Sequence, residues 1–390
     1  MGKYDKIEIQ HICLNICSGG TPKSTVTEYY GGNIPWLNTK EINFCRIYET
    51  ERTITDEGLN NSSAKWVPAN TVIVAMYGAT AGKTAIAKIP LTTNQACCNL
   101  NIDSAIADYR FVYYALYNNY AYLASLANGG AQQNLNAQQI KEFEIPFPPL
   151  KEQKRIADIL SSLDDKIELN RRINGNLEQQ AQTLFNHYFI ERPDLLGKYK
   201  ISNLTGIANY LNGLAMQKFR PQIEENGIPV LKIKELGQGY TDASSDICSE
   251  NIADGYKVHN GDVIFSWSGT LMVKIWCGGL CGLNQHLFKV SSEIYPKWFY
   301  YFWTKHHLNK FIRIAQDKAV TMGHIKRNDL EASEILIPQM DILAKLDAII
   351  SPLFSQIIEM KCENRNLAAI RDILLPQLMS GKLKINDLNR

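Results

Sequence analysis

The amino-acid sequence repeats itself at a spacing of about half its 390 residues. Three segments of the first half recur in order in the second: IPWLNTKEI (34–42) as IPVLKIKEL (228–236), VPANTVIVAMYG (67–78) as VHNGDVIFSWSG (258–269), and Asn94-Gln95 as Asn284-Gln285. A repeat of this length predicts two similar folded modules, because each copy is long enough to form a domain. The spacing between copies varies by a few residues, which is typical of loops that differ in length.

Each copy combines apolar runs with aromatic stretches. The run 72–76 (VIVAM) follows a turn, and such β-rich runs bounded by turn residues are typical of strands. Tyr113-Tyr114 and Tyr300-Tyr301 lie in segments of helical period. We therefore predict two tandem α/β (α+β) modules, over residues 1–150 and 193–340.

Each module is followed by a long segment with a heptad pattern, and there the offset between the copies is constant at 190 residues. The first set of seam positions is Leu160, Leu163, Ile167, Asn170, Asn174, Leu177, Ala181 and Leu184. The second set is Ile350, Leu353, Ile357, Met360, Asn364, Leu367, Arg371 and Leu374. Alternating steps of three and four predict a long helix that buries one narrow stripe.

Proline and glycine limit these two helices. Pro148-Pro149 prevents the first long helix from beginning earlier, Pro193 ends it, and Gly381 is well placed to end the second. A helix over 151–189 would be roughly 58 Å long. We assign 151–192 to the first helix and 341–390 to the second helix and a tail.

The apolar stripe on each long helix predicts that the two helices pack against each other. A single apolar stripe on a long helix must be covered, and the matching stripe is the simplest cover. We therefore predict an antiparallel intramolecular coiled coil that relates the two modules by an approximate two-fold axis. Asn174 and Asn364 on the seam are expected to fix the register. Gly175 and Pro352 predict a weakened or kinked helix, and two unrelated core helices remain the alternative.

Composition is that of a soluble, cytoplasmic protein. The chain is 45% hydrophobic and 21% charged, and its start mixes charged residues with apolar ones, unlike a signal peptide. No run approaches the roughly 20 apolar residues of a membrane span. The nine cysteines and seven histidines show no metal-ligand or disulfide spacing. A net charge of only +2 indicates that, if DNA is the ligand, a partner supplies much of the attraction for phosphates.

Two related but unequal modules at a fixed separation suit a ligand with its own approximate two-fold symmetry, and duplex DNA is such a ligand. The modules differ mainly in polar and aromatic loops. Each module would therefore recognise a different short sequence. The complete site would be bipartite and asymmetric.

Several motifs resemble those of the DNA-specificity subunits of type I restriction-modification enzymes. They are SGGTPK (18–23), IPWL (34–37), GGAQQNL (129–135), EQKRIA (152–157) and LLPQLMSGKL (374–383). The sequence departs from the pattern in its second module, where GLAM (213–216) replaces GGTPK and PQM (338–340) replaces PPL. The resemblance covers nearly the whole chain.

This resemblance implies two target-recognition domains separated by long helices that dock two modification (methyltransferase) subunits. It implies that those subunits methylate adenine with S-adenosylmethionine, and that restriction and motor subunits use ATP and Mg²⁺. This chain would then select a double-stranded DNA site, bind no cofactor or metal and carry no catalytic residue.

Candidate DNA contacts are side chains that hydrogen-bond to base edges or phosphates and lie in the repeated loops. In the first module they are Thr21, Lys23, Asn38, Lys40, Tyr77, Thr80, Lys83, Gln132, Gln133 and Asn134. In the second they are Lys232, Lys234, Trp267, Ser268, Lys318, Thr321, His324 and Lys326. Any one of them is individually compatible with a plain polar loop position, and Trp36 with the core. The shared Asn-Gln pairs indicate architecture, because modules that recognise different sequences both have them.

Motifs for catalysis are incomplete. Residues 78–84 (GATAGKT) resemble a phosphate-binding loop but have three residues between the glycines where four are needed, so we expect no ATP site. The lysine recurs as Lys274, and His306-His307 is expected to be solvent-exposed. Two other functions remain open. A nuclease or methyltransferase with dispersed catalytic residues predicts activity of the chain alone, and a coiled-coil adaptor that binds only proteins predicts no DNA footprint.

Overall fold

In a computed structural model, residues 4–127, 134–317 and 325–383 are described below. They form two compact units, Met1–Asp165 with Ala368–Arg390, and Lys166–Leu367. Each unit therefore contains one globular module and part of both long helical segments. The predicted four-part division of the chain stays a prediction. Among the described helices, none has the length and apolar composition to cross a membrane.

Besides parts of the two long helices, the described residues of the first unit form eleven strands and four short α-helices. The strands are β1 (Lys6–Glu8), β2 (Cys13–Ser18), β3 (Tyr30–Leu37), β4 (Cys45–Ile47), β5 (Thr53–Ile54), β6 (Trp66–Val67), β7 (Val72–Ala75), β8 (Thr84–Ala87), β9 (Leu91–Thr93), β10 (Cys97–Ile102) and β11 (Glu144–Pro146). The helices are α1 (Asp56–Asn60), α2 (Tyr109–Asn118), α3 (Tyr120–Ser125) and α4 (Ala137–Lys141). The strands form sheets of order β2-β10-β7-β8-β4 and β5-β3-β9-β6, and the pair β1-β11.

The long helix α5 (Leu150–Asn186) follows and continues as a π-helical turn, His187–Glu191. The second unit then contains β12 (Tyr199–Asn203), β13 (Asn209–Asn212), β14 (Gly227–Leu231), α6 (Ile233–Gln238), β15 (Ile247–Ser249), β16 (Lys257–Val258), β17 (Val263–Ser266), β18 (Met272–Ile275), β19 (Cys281–Leu283), β20 (Leu287–Ser291), α7 (Lys297–His306), α8 (Leu308–Asp317), α9 (Arg327–Glu331) and β21 (Glu334–Pro338). The second long helix is α10 (Met340–Met379).

The two modules share one topology. The second has sheets of order β13-β20-β17-β18 and β15-β14-β19-β16, and the pair β12-β21. These orders repeat those of the first module strand for strand, except that the first module adds β4 at one edge. The prediction of two tandem modules with mixed helices and sheets is confirmed.

The apolar run predicted as a strand is buried on both faces. Val72 and Val74 of β7 pack into the core that contains α2, whereas Ile73 and Ala75 pack into a second core on the opposite face. Successive side chains of a strand point to opposite faces, so a strand between two layers must be apolar throughout. This central strand places the loop that follows it at one end of the module.

The seam positions of both long helices are covered. The predicted seam residues that are buried or half-buried are Leu160, Leu163, Ile167, Asn174, Leu177, Leu184, Ile350, Leu353, Ile357, Asn364, Leu367 and Leu374. In the second unit Lys166 Nζ lies 3.5 Å from Glu363 Oε2, while Phe185 and Phe354 both pack on Phe302. Contacts that advance along α5 as they recede along α10 define an antiparallel pair.

The end of α10 follows the local sequence, and neither Gly175 nor Pro352 ends its helix. Gly381 has φ 69°, the left-handed conformation that ends a helix, and α10 stops at Met379. The helices continue through Gly175 and Pro352, both of which are exposed. On an exposed face neither residue disturbs packing, and water can bind the carbonyl that proline leaves without a donor.

Of the two asparagines predicted to fix the register, Asn364 bonds to the other long helix, and its partner there is Asn170. Asn170 Nδ2 donates to Asn364 Oδ1 at 2.9 Å and to Glu363 Oε2 at 2.6 Å. Asn174 is buried, and its side-chain oxygen has no hydrogen-bond partner among the described residues. The Asn170–Asn364 bond therefore specifies the pairing, because any shift would leave buried amides unpaired.

Each module packs on the long helices of its own unit with different chemistry. In the first unit Asp164 Oδ1 accepts a bond from Arg371 at 2.7 Å, and Asp164 Oδ2 accepts one from the Tyr114 hydroxyl at 2.6 Å. In the second unit the position 190 residues after Asp164 is Phe354, whose ring centroid lies 5.2 Å from that of Phe302. The contact between the module and the long helices is therefore polar in the first unit and apolar in the second.

Candidate nucleic-acid interface

An asparagine turn organises the same end of both modules. In the first, the Asn94 N–H donates to the carbonyl at the end of β3 at 3.0 Å, and Asn94 Oδ1 accepts from the Ala96 N–H at 3.1 Å. In the second, Asn284 makes the corresponding bonds to the end of β14 and from the His286 N–H, at 3.2 and 3.3 Å. The repeated asparagine is therefore architectural, as the sequence indicated.

A glycine at the end of the first long strand of each module lies directly against this turn. A Cβ atom on Gly19 would lie 2.1 Å from the Thr93 carbonyl oxygen, and one on Gly213 would lie 2.2 Å from the Asn284 carbonyl oxygen. Only glycine permits so close an approach. The second module thus keeps the essential glycine although its loop sequence departs from GGTPK.

Two predicted contacts of the first module lie at the asparagine turn. The Thr21 hydroxyl bonds to the side chain of Gln95, and Asn38 Oδ1 accepts from Asn94 Nδ2 at 3.3 Å. The neighbouring side chain of Lys40 is exposed and forms an ion pair with Glu51. Lys23 is also exposed. The turn therefore brings loops distant in sequence to one surface.

The loop between β7 and β8 adjoins the same turn. The N–H of Met76, which directly precedes Tyr77, donates to the Ala96 carbonyl at 2.8 Å. Tyr77 is 43% exposed and pairs through its backbone with Asn134. At the other end of the loop, Lys83 Nζ donates to Asn43 Oδ1 at 2.8 Å. Thr80, between them, is half-buried, and Gln132 and Gln133 lie outside the described residues.

The corresponding loop of the second module has different side chains on the same backbone frame. The Trp267 N–H donates to the His286 carbonyl at 3.4 Å, as the Met76 N–H does to the Ala96 carbonyl. Trp267 is half-buried against Phe288, and its Nε1 donates to Asn212 Oδ1 at 2.9 Å. Trp267 is thus partly a core residue.

Ser268, predicted as a DNA contact, is only 3% exposed. Its Oγ lies 3.0 Å from His286 Nδ1. A buried hydroxyl already bonded to a ring nitrogen supports that ring and has no open path to a DNA strand. The structure therefore corrects the prediction for Ser268, which lies behind His286 and not on the exposed surface.

Two predicted lysines of the second module bond to side chains of the same chain. Lys232 forms an ion pair with Asp246, and Lys234 Nζ donates to Ser244 Oγ at 2.7 Å with Asp242 nearby at 3.6 Å. Exposed pairs of this kind are worth about 0–1 kcal/mol, so a phosphate can replace the carboxylate at low cost. Lys326 is exposed, and Lys318, Thr321 and His324 lie outside the described residues.

Lys274 is not the counterpart of Lys83. Strand pairing places Ser266 opposite Met272, where the first module has Ala75 opposite Lys83, so the second loop is two residues shorter. Lys274 lies within β18 and donates to the Gly237 carbonyl at 2.6 Å. Burial lowers the pKa of Lys274.

Two ambiguous aromatic positions are resolved by burial. Trp36 is 3% exposed and its Nε1 donates to the Gly20 carbonyl at 2.9 Å, so it belongs to the core. His307 was expected to be exposed, but it is half-buried with Nε2 2.9 Å from the Glu334 carbonyl oxygen. Burial lowers the pKa of His307 to about 4. His306 is exposed, as expected.

Sequence reasoning missed three polar residues at these surfaces: Asn43, Asn212 and His286. Each bonds directly to a predicted side chain, Lys83, Trp267 or Ser268. His286 could have been found, because it lies two residues after the repeated asparagine. Asn43 and Asn212 have no such signal, since only folding brings them to their partners.

Both modules have the same backbone bonds around loops whose side chains differ, and this arrangement defines a two-module binding protein. Comparison with known proteins identifies its family. The family model described as the type I restriction modification DNA specificity domain matches residues 1–179 and 197–370. The chain is 31% identical over 399 residues to the specificity subunit of the type I restriction enzyme MjaIX from Methanocaldococcus jannaschii, covering 96% of this chain and 92% of the relative. The EcoR124I/EcoR124II specificity subunit from Escherichia coli is 28% identical over 184 residues, covering 46% of this chain and 44% of that protein.

A solved structure has the same fold. The crystal structure of the type I restriction-modification S subunit from M. genitalium superposes with a TM-score of 0.57 at 20% identity, covering 97% of this chain and 96% of that one. The chain belongs to the family of type I restriction modification DNA specificity domains, with two such domains in tandem. It is a specificity subunit, which implies recognition of a DNA sequence. The resemblance predicted from the motifs is confirmed.

Proposed function

We propose that this chain recognises a bipartite, asymmetric DNA site, with one half contacted by each module. The observation that carries the proposal is the shared frame with unequal side chains. The positions of Tyr77 and Ala96 in the first module are those of Ser268 and His286 in the second, although the backbone bonds around them are the same. The backbone bonds that the two modules share hold both loop surfaces in equivalent positions. The side chains on those loops differ, so each surface offers different hydrogen bonds to base edges.

We further propose that the long helices dock two modification (methyltransferase) subunits, which in turn recruit restriction and motor subunits. Large apolar side chains on these helices are exposed in both units. In the first unit Ile370 and Ile373 are 47% and 61% exposed, and in the second Leu169 and Ile349 are 52% and 53% exposed. Exposed apolar side chains on otherwise polar helix faces favour a protein partner. S-adenosylmethionine and ATP with Mg²⁺ would bind those partners, and this chain would act without catalysis or a cofactor of its own.

Low net charge supports the need for partners. The whole chain carries 41 Lys and Arg against 39 Asp and Glu. Lys40 and Lys232 are each already paired with a carboxylate. Affinity for DNA rises with the number of phosphates that a protein neutralises, so methyltransferase subunits would add the missing positive surface.

The test is adenine methylation mapping by single-molecule sequencing. DNA from cells that express this chain with its methyltransferase is compared with DNA from cells that express the methyltransferase alone. A motif with two specified halves and an unspecified spacer, present only with this chain, is the expected result. Chain-dependent methylation without a bipartite motif would refute the two-module model, and its complete absence despite a co-purifying methyltransferase would favour the adaptor function.

A matched pair of lysine variants tests the interface itself. Lys40 and Lys6 are both exposed and each pairs with a glutamate, Glu51 or Glu144, but only Lys40 lies in the predicted DNA-contacting loops. In the complex with methyltransferase, Lys40→Gln should weaken binding to all DNA sequences and reduce the slope of log affinity against log salt by about one. Lys6→Gln should leave both unchanged. Equal effects of the two variants would contradict the placement of the interface.

A further inference from the structure

The two modules differ in side-chain chemistry at position 286, where the second has a histidine and the first has Ala96. The backbone N–H of residue 286 bonds to Asn284 Oδ1 at 3.3 Å, as that of Ala96 bonds to Asn94 Oδ1 at 3.1 Å. The first module therefore presents a methyl group where the second presents an imidazole. The frame needs only the backbone at this position, so the histidine is explained by something other than the turn.

The imidazole of His286 is held by two neighbours. Ser268 Oγ lies 3.0 Å from Nδ1, and Ser268 is buried, so this hydroxyl has no competing contact with solvent. The Trp267 ring centroid lies 6.2 Å from that of His286, and Trp267 Nε1 is anchored on Asn212. A ring held at one nitrogen and flanked by an anchored indole has a fixed orientation.

The other ring nitrogen lies beside a second polar side chain. His286 is half-buried, and its Nε2 is 3.4 Å from Nε2 of the half-buried Gln285. Gln285 is the counterpart of Gln95, which is exposed and bonds to Thr21 in the first module. Nε2 is therefore beside the side chain that the repeat places next to the candidate DNA contacts.

We propose that His286 is a specificity-determining residue of the second module, contacting a base edge through Nε2, and that Ser268 is its positioning residue. The proposal rests on the proposed function. The amide nitrogen Nε2 of Gln285 can only donate, so His286 Nε2 is the acceptor, and the ring proton is on Nδ1, which donates to Ser268 Oγ. In the major groove such an acceptor matches the amino group N6 of adenine or N4 of cytosine, whereas guanine offers only acceptors there and thymine offers an acceptor and a methyl group.

The obvious variant is compatible with the fold. His286→Ala gives the second module the residue that the first module has at the same point, with the bond to Asn284 Oδ1 intact. His286→Gln keeps a polar side chain, and its amide can pair with N6 and N7 of adenine. His259→Ala is the control, because His259 is exposed and lies in a different loop of the same unit, between β16 and β17.

The experiment maps adenine methylation in cells that express each full-length variant with the methyltransferase. His286→Ala should keep the first half of the motif and lose discrimination at one base pair of the second half by about tenfold or more. Ser268→Ala should relax the same base pair less, His286→Gln should shift its preference toward adenine, and His259→Ala should reproduce the wild-type motif.

Three results would overturn the assignment. An unchanged motif for both His286 variants would exclude a base contact. Equal loss of both halves, together with a lower melting temperature of the purified complex, would give His286 a purely structural role. A wild-type complex without a bipartite motif would overturn the proposed function and this inference together, and it is recognised before any variant is made.

Discussion

Replacing Arg371 by methionine removes the cation of a largely buried ion pair in the first unit. The side chains of Arg371 and Asp164 are 13% and 15% exposed, and their Nη1 and Oδ1 atoms are 2.7 Å apart. Arg371 Nη2 also donates to the Tyr117 hydroxyl at 3.0 Å, with the guanidinium 5.2 Å from the ring centroid. Among the described residues, Asp164 would keep the Tyr114 hydroxyl as a hydrogen-bond partner and the charge of Arg46 nearby.

The cost follows from this geometry. Breaking a buried pair by removing one partner costs about 3–5 kcal/mol, because the other charge is left without compensation. Tyr114 still donates to Asp164, which places the expected loss at the lower end, about 3 kcal/mol in the free energy of unfolding of the first unit. Asp164→Asn with Arg371→Met should cost about 2 kcal/mol less than the sum of the single changes, since the double variant has no unpaired charge.

Hydrogen exchange by mass spectrometry measures this loss in the first unit alone. A loss of about 3 kcal/mol speeds exchange of the α2 amides roughly a hundredfold when exchange occurs from the open state. The control is Arg172→Met, since the Arg172 side chain is 59% exposed in its pair with Glu168, and such pairs are worth under about 0.5 kcal/mol. The reasoning fails if Arg371→Met changes exchange of α2 by less than tenfold, or if the double variant is additive.

Three further changes in the second unit have defined outcomes. Asn174→Leu should raise the free energy of unfolding of the second unit by about 1 kcal/mol in urea denaturation, because apolar surface replaces a buried oxygen that has no partner among the described residues. A loss of stability would contradict this. Phe185→Ala should cost about 3–5 kcal/mol by the same assay, since Phe185 is fully buried, and a cost below about 1 kcal/mol would show that the core closes around the gap. Burial lowers the pKa of His307 from 6.5 to about 4, so between these pH values the unfolded chain binds more protons than the folded chain. The contribution of His307 to stability therefore falls as the pH decreases through this window and is constant above it. After a discount for partial exposure, wild type should lose about 1–2 kcal/mol more than His307→Gln between pH 7 and pH 4, and equal losses would refute the assignment.

The repeat predicted the backbone bonds of the site more reliably than the exposure of its side chains. Asn94 and Asn284 keep their bonds in both modules because these bonds close a turn whose residues are adjacent in sequence. Ser268 aligns with the exposed Tyr77, yet it is buried. An alignment transfers the backbone environment of a residue, whereas the exposure of its side chain depends on neighbours such as His286 that the other module lacks.

Loop length also escaped the sequence comparison. Lys83 and Lys274 both follow a glycine-containing loop, but the second loop is two residues shorter, so Lys274 falls inside β18. The alignment of the preceding strands ends at Gly78 and Gly269, and nothing beyond it fixes where the returning strand begins. Only strand pairing decides that register.

The sequence by itself determined the two modules, the long helices and the residues that end or line them. Those properties follow from periodicity and from the local chemistry of glycine and proline, as at Gly381. The tertiary structure alone decided which loops meet, that Asn170 pairs with Asn364, and that one module is joined to its helices by Asp164 and the other by Phe354. These are contacts between residues far apart in the chain, and they depend on how separate elements pack, which no local pattern encodes.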